Sequence, residues 1–151
     1  MQALELRVPP LIQVAVVAMA MWCTAIALPV AQFSVPGVMS ALLVVPGSVV
    51  AILGVLEFKK SRTTVDPRTP HKSERLVVTG IYRYSRNPMY LGFFLWLLGW
   101  GFYLGSALSL VVPFIFVAYM NRFQIHPEER YLEQKFGAEF ANYAARVRRW
   151  V

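Results

Sequence analysis

The sequence predicts an all-α, polytopic membrane bundle of about four transmembrane helices with a cytoplasmic, amphipathic C-terminal helical segment. Three observations predict it. Residues 8–58 carry one charged side chain, Glu57, and residues 87–121 carry none. Turn formers divide each of these stretches once. The 15 lysines and arginines gather at one end of the resulting helices. A soluble chain of 151 residues needs charge scattered over its surface helices, so that class is excluded. The length fits a single membrane domain, 1–151.

The first stretch is interrupted by Ala31-Gln32-Phe33-Ser34-Val35-Pro36-Gly37. Roughly 20 apolar residues stand on either side, as a hydrocarbon core of about 30 Å requires. Helix one is expected over 10–30 and helix two over 37–58. The second stretch divides near Gly101-Phe102-Tyr103-Leu104-Gly105-Ser106, which places helix three at 88–103 and helix four at 107–122. Pro46 and Pro113 fall inside spans, where neighbouring helices satisfy the carbonyls they free. The apolar run 11–30 is longer than the roughly 7–15 residues of a signal-peptide core, and no A-x-A site follows, so it is read as a retained helix. Cys23 is the sole cysteine, which excludes an internal disulfide and a cysteine-based zinc site and leaves it a small packing residue.

Basic residues orient the chain. Arg7 precedes helix one, and Lys59, Lys60, Arg62, Arg68, Lys72, Arg75, Arg83 and Arg86 lie between helices two and three. Arg122, Arg130, Lys135, Arg146, Arg148 and Arg149 follow helix four, and the turns near Ser34 and Gly105 have none. With four spans, the N-terminus, the loop 59–87 and the tail 123–151 share one face. The positive-inside rule makes that face cytoplasmic, with the bacterial inner membrane as the expected location. The net charge of +7 also draws anionic lipid head groups. It carries no nucleic-acid motif, and nucleic acid is not expected as a partner.

Chemistry is expected on the charged face. The loop holds Thr63, Thr64, Asp66, Pro67, Pro70, His71 and Gly80, and a loop this long is functional or disordered. The first constellation is Gly80-Ile81-Tyr82-Arg83-Tyr84-Ser85-Arg86-Asn87-Pro88-Met89-Tyr90-Leu91-Gly92. Asn87 and Pro88 read as the N-cap and first residue of helix three. Free N–H groups there suit an anion. Arg86 stands just outside, and Tyr90 lies one turn in, on a face that Gly92 leaves partly open. A plainer alternative has Arg86 on lipid phosphate and Tyr90 in an interfacial aromatic belt.

The second constellation begins His126-Pro127-Glu128-Glu129-Arg130-Tyr131-Leu132. Pro127 is expected to begin a helix with two carboxylates in its first turn, where they complement the dipole. Leu132, Phe136, Phe140, Tyr143 and Val147 form one apolar face for the membrane or the bundle. Gly137 is expected to split this segment in two. His71 and His126 are the only histidines, and H-E-x-x-H, G-x-G-x-x-G, Walker A and nucleophile-elbow motifs are absent, so no metal is expected.

At these two constellations the chain resembles the isoprenylcysteine carboxyl methyltransferase family, with its small bacterial members and related phospholipid methyltransferases. The family carries a G-x-Y-x-x-x-R-[HN]-P-x-Y-x-G block before a membrane helix. After the next helix it carries E-E-x-x-L-x-x-x-F-G-x-x-[YF]-x-x-Y. Here these read GIYRYSRNPMYLG and EERYLEQKFGAEFANY. Thr63-Thr64-Val65-Asp66-Pro67 and Arg122-Phe123-Gln124 also look like the bacterial branch. The likeness covers residues 62–151, and helices one and two match only in hydrophobicity.

The resemblance implies an S-adenosylmethionine-dependent methyltransferase whose cofactor enters from the cytosol and whose lipid-soluble substrate comes from the bilayer. It implies Arg86 and Glu129 as catalytic residues. Tyr82, Asn87, Pro88, Tyr90, Gly92, Glu128 and Glu129 would bind the cofactor, and Arg86 and Arg146 the substrate. Asn87 stands where many members have histidine, which leaves amide hydrogen bonding at this position. In-line methyl transfer rests on alignment. A carboxylate acceptor is already ionised and needs a positioning cation, for which Arg86 is the first candidate. Glu129 would take the cofactor's amino group or ribose, and Tyr90 would face the sulfonium.

Other readings are a methyltransferase for a phospholipid amine or a thiol, a membrane reductase using a nicotinamide, a small transporter, and a scaffold without catalysis. An amine acceptor would require a general base, and Glu129 is placed for it. A proton-coupled transporter would carry a carboxylate well inside a span, and none lies there.

Overall fold

Prolines and glycines set the limits of the helices. The computed structural model describes residues 5–6, 8–29, 31–61 and 75–151. Pro10 opens α1, Pro10–Ala27, at a position that needs no N–H donor. This helix stops short of the expected limit at 30. Pro29 disfavours helical geometry at Leu28, which sits at φ −128° and ψ 77°. Behind Pro36 comes α2, Gly37–Lys60. Next, α3 spans Pro88–Leu104 and closes on Gly105, left-handed at φ 63°. Ser106 caps α4, Ala107–Met120, by accepting from the Ser109 N–H at 3.4 Å. Pro46 and Pro113 lie inside α2 and α4, as expected.

Pro127 opens a helix with Glu128 and Glu129 in its first turn, as expected, but no gap separates that helix from the one before it. Helix α4 continues through a π-helical turn, Asn121–Ile125, into α5, His126–Phe136. Proline at 127 lacks an N–H and crowds the carbonyl four residues back, that of Phe123. The wider turn makes room. The Phe123 carbonyl accepts instead from the Leu6 N–H at 3.2 Å. Gly137, at φ 49°, then separates α5 from α6, Ala138–Arg146, the division expected there. Among the described residues there are no strands beyond a single bridge between Gln32 and Ser106. The loop positions Arg62, Thr63, Thr64, Val65, Asp66, Pro67, Arg68, Pro70, His71 and Lys72, and also Arg7, lie outside the described residues.

The tightest helix pair is α2 against α3, and small residues make it so. A Cβ on Gly92 would stand 2.5 Å from the Gly47 carbonyl oxygen and 2.8 Å from the Ala51 Cβ. One on Gly99 would meet the Val44 Cγ2 at 2.6 Å, and one on Gly54 the Met89 Cγ at 2.7 Å. Close backbone approach of this kind drives helix association where lipid removes the hydrophobic incentive. Gly92 is therefore buried against α2 and does not open a face beside Tyr90, which corrects the sequence expectation. On the other side of α3, Trp100 Nε1 donates to the Ala18 carbonyl at 3.1 Å. Ser109 Oγ of α4 donates to the Met21 carbonyl at 3.0 Å. Met21, Leu97, Phe116, Met120 and Ile125 fill the centre.

The two turns away from the charged end are tied together. Phe33 N–H donates to Gly105 at 2.8 Å, and Ala107 N–H donates to Ala31 at 3.2 Å. At the opposite end lie Glu57, the start of α3, α5 and α6. Leu11, Val16, Leu42, Val49, Phe114 and Ile115 project outward, an apolar exterior suited to lipid. Pro10–Ala27, Gly37–Lys60 and the continuous Ala107–Phe136 are long and apolar enough to cross a membrane. Apolar α3 has 17 residues, about 25 Å of helix.

Gly92→Leu is expected to wedge α2 from α3 and cost about 1–3 kcal/mol of stability. Gly37, with open space around it, tolerates alanine. Thermal unfolding in detergent checks the contrast, and equal melting temperatures for the two variants would contradict it.

Candidate functional site

The site is assembled where the turn before α3 meets α5 and the chain after α6. Gly80, left-handed at φ 59°, opens a 3-10 turn, Gly80–Arg83. It is held at the end of α2, where Thr79 Oγ1 donates to Glu57 Oε2 at 2.8 Å. A side chain at Gly80 would collide with the Glu57 carboxylate. The turn buries Tyr82, whose ring meets Phe58 edge-on at 5.3 Å. Tyr143 of α6 donates its hydroxyl to the Tyr82 carbonyl at 2.8 Å. The Tyr82 hydroxyl itself is buried without a hydrogen-bond partner among the described residues. Burial, and then Tyr143, Glu128 and Glu57 nearby, raise its pKa, so it stays protonated.

Asn87 occupies the N-cap position of α3, but its side chain does not cap. Ser85 Oγ instead accepts from the Asn87 N–H at 3.1 Å. Asn87 Nδ2 donates to the Arg149 carbonyl at 3.0 Å. Pro88, the first helical residue, is buried.

Arg86 is the centre of the network. Its Nη2 and Nε both donate to Glu129 Oε1, at 2.7 and 3.1 Å. Its Nη1 donates to the carbonyls of Ala144 and Val147, at 2.9 and 2.8 Å. Its own N–H donates to the Arg148 carbonyl at 3.0 Å. Arg149 reaches the same carboxylate from the other side, Nη2 to Oε2 at 2.5 Å and Nε to Oε1 at 3.2 Å. Glu129 is thus clamped between two guanidiniums, with its side chain 16% exposed. Burial pushes its carboxyl up, but the bonds from Arg149 and Arg86 outweigh burial and hold it below its ordinary value.

Glu128 has the opposite setting. It lies past the charge-free stretch that ends at residue 121, and its Oε1 accepts from the Tyr90 hydroxyl and from Gln124 Nε2, both at 2.7 Å. Burial pushes its carboxyl up to about 7, moderated by those two hydrogen bonds. Two adjacent carboxylates therefore differ in charge near neutral pH, one held ionised and one poised to titrate.

The structure brings together Tyr82, Arg86, Asn87, Pro88, Tyr90, Glu128 and Glu129. It does not bring Arg146 to them. Arg146 is exposed and donates to the Asn142 carbonyl at 3.1 Å. The tail arginine that meets Glu129 is Arg149. Gln124, Ser85 and Tyr143 also belong to the site. The run Arg146-Val147-Arg148-Arg149-Trp150 was the available signal, and Trp150 anchors it by donating from Nε1 to Asn121 Oδ1 at 3.1 Å.

Arg86→Ala and Arg149→Ala are expected to couple by roughly 0.5–3 kcal/mol in a double-mutant cycle, because both act on Glu129. Unfolding in detergent measures this, and simple additivity would contradict the shared clamp. For Glu128 the folded chain binds the proton more tightly than the unfolded one, whose carboxyl titrates near 4.5. Its contribution to stability is present below that value and is lost as pH rises through 7. Glu128→Gln, which keeps an acceptor, should flatten the fall in melting temperature between pH 5 and pH 8. An unchanged slope would exclude this assignment.

Residues 35–139 match the family model of phospholipid methyltransferases, a span that holds every residue of the network except those after α5 and early α6. A protein-S-isoprenylcysteine O-methyltransferase of Saccharomyces cerevisiae is 36% identical over 111 residues, covering 73% of this chain and 46% of the relative. A probable protein-S-isoprenylcysteine O-methyltransferase of Oryza sativa is 34% identical over 109 residues, covering 70% and 56%. An uncharacterized protein of Haemophilus influenzae is 48% identical over 63 residues, covering 42% of this chain and all of the relative. The chain spans about half the length of the two named methyltransferases. No solved structure matches. These relatives bear out the resemblance drawn from the two sequence blocks, and the chain belongs to the phospholipid methyltransferase family.

Proposed function

We propose that the chain is an integral-membrane, S-adenosylmethionine-dependent methyltransferase acting on a lipophilic acceptor, by preference the carboxylate of an isoprenylcysteine-like substrate. The observation that carries this reading is the buried Tyr82 hydroxyl without a partner, beside the Tyr90–Glu128–Gln124 chain. An orphaned buried donor is costly unless a ligand completes it. The surrounding donor set fits this cofactor. Carboxylates suit its amino group and ribose hydroxyls, tyrosine faces suit its sulfonium, and arginines suit its carboxylate.

When bound, the cofactor supplies an electrophilic methyl group on a sulfonium and a neutral thioether leaving group. The chain's own residues hold and align. Glu129 is preset as an ionised acceptor by Arg86 and Arg149. Tyr82 and Tyr90 are both buried and would help to keep water from the bound cofactor. Arg86 and Arg149 provide the positive field that would draw an acceptor carboxylate, and such an acceptor needs no base.

A second reading is N-methylation of a phospholipid amine. Glu128 favours it, because a carboxyl titrating near 7 suits a general base. The names of the two methyltransferase relatives favour the carboxylate.

Four crossings with both termini cytoplasmic complete the proposal, supported by the one-sided distribution of lysine and arginine. The short α3 would cross within the shelter of α2. The expected location is a bacterial inner membrane, with anionic lipid head groups against the basic face.

Membranes containing the protein, supplied with methyl-labelled cofactor, should yield a labelled lipophilic product. A methyl ester releases its label as methanol in base, whereas an N-methyl product does not, so one treatment separates the two readings. Glu129→Ala should lower turnover at least about 100-fold while the protein still inserts, by analogy with the loss of a preorganised charged group. Wild-type turnover in that variant would refute the site. Absence of saturable S-adenosylhomocysteine binding would refute the activity.

A further inference from the structure

A cavity lies between α1 and α4. It measures about 400 Å³ and is lined by Val8, Val16, Val17, Val112, Ile115 and Phe116, with Gln13 and Tyr119 as its polar contributors. Gln13 is 8% exposed. Its Nε2 donates to the Val8 carbonyl at 2.8 Å, while its Oε1 is buried and has no partner among the described residues. The orientation of the amide follows from Val8, since a carbonyl can only accept. The open half of Gln13 is therefore an acceptor, and whatever completes it must donate.

The surroundings restrict the donor further. Val16 and Ile115 are exposed on the bilayer side of the cavity, so entry is from lipid. Gln13 lies in the first turn of α1, at the charged end of the bundle, and Val17 and Val112 lie deeper. A head group would meet Gln13 near the membrane surface, with an apolar chain running inward between α1 and α4. Water is a poor occupant, because a buried water needs two to four polar partners and the walls are almost wholly apolar.

We propose that this cavity binds one chain of a membrane amphiphile whose head donates a hydrogen bond to Gln13 Oε1. The donor is a hydroxyl or ammonium hydrogen. Phe116 separates the cavity from the methyl-transfer site, since it lines the one and packs in the cluster that contains Tyr90. The assignment rests on the membrane reading of α1 and α4 and not on the proposed reaction.

The test uses the full chain in lipid nanodiscs without cofactor, so its outcome is independent of methyl transfer. The probes are a long-chain primary alcohol bearing a mid-chain diazirine and the corresponding methyl ether, which has no donor. The alcohol should label α1 and α4 saturably, and the ether should require about tenfold more for half-labelling, the worth of roughly one hydrogen bond. Gln13→Leu should weaken the alcohol to the level of the ether while keeping the melting temperature. Val112→Trp, which fills the cavity, should abolish labelling by both. Equal labelling by alcohol and ether in the wild type would overturn the proposal, as would an unchanged alcohol curve in Gln13→Leu.

Discussion

The clamp of Arg86 and Arg149 on Glu129 is the interaction on which the charged end depends. It joins three parts of the chain far apart in sequence: the turn before α3, the start of α5 and the segment after α6. A carboxylate removed from water is costly unless paired, and removing one partner of such a pair costs about 3–5 kcal/mol. Here two guanidiniums share one carboxylate, and Arg86 spends its remaining donors on the carbonyls of Ala144 and Val147. The last residues are thereby held over the N-terminus of α3, with Asn87 and Ser85 both reaching the Arg149 carbonyl. The same ion pairs that shape the site also place the tail that walls it.

The neighbouring carboxylates show how position alone divides their roles. Glu128 and Glu129 are consecutive, so a helix turns them about 100° apart. One points to neutral donors on α3 and the π turn, and the other to cations. Burial acts on both, but only Glu129 has charges to offset it.

Much of this was legible in the sequence. Charge-free stretches gave the helices, Pro36 and Gly105 their limits, and the two blocks the residues that converge. Three points were hidden, each for a physical reason. The continuity through Pro127 depends on Leu6, whose N–H reaches the Phe123 carbonyl from more than a hundred residues away. The resemblance implied Arg146 as a site residue, but α6 ends there and Val147 is extended at φ −119° and ψ 127°, so helical periodicity does not tell which arginine faces Glu129. The role of Gly92 depended on which helix packs beside it, and the small residues that α2 offers there, Gly47 and Ala51, form no pattern that names α3.

The pairing of the two outer turns has a mechanical consequence. Backbone bonds from Phe33 to Gly105 and from Ala107 to Ala31 pin all four helices at one end. A bundle fastened in this way behaves like a set of rods sharing a fulcrum. Small angular changes near the pin become the largest displacements at the far ends, about 25 Å away along α3. Those far ends carry the arginine clamp, so the bundle is fastened by backbone bonds at one end and by ion pairs at the other.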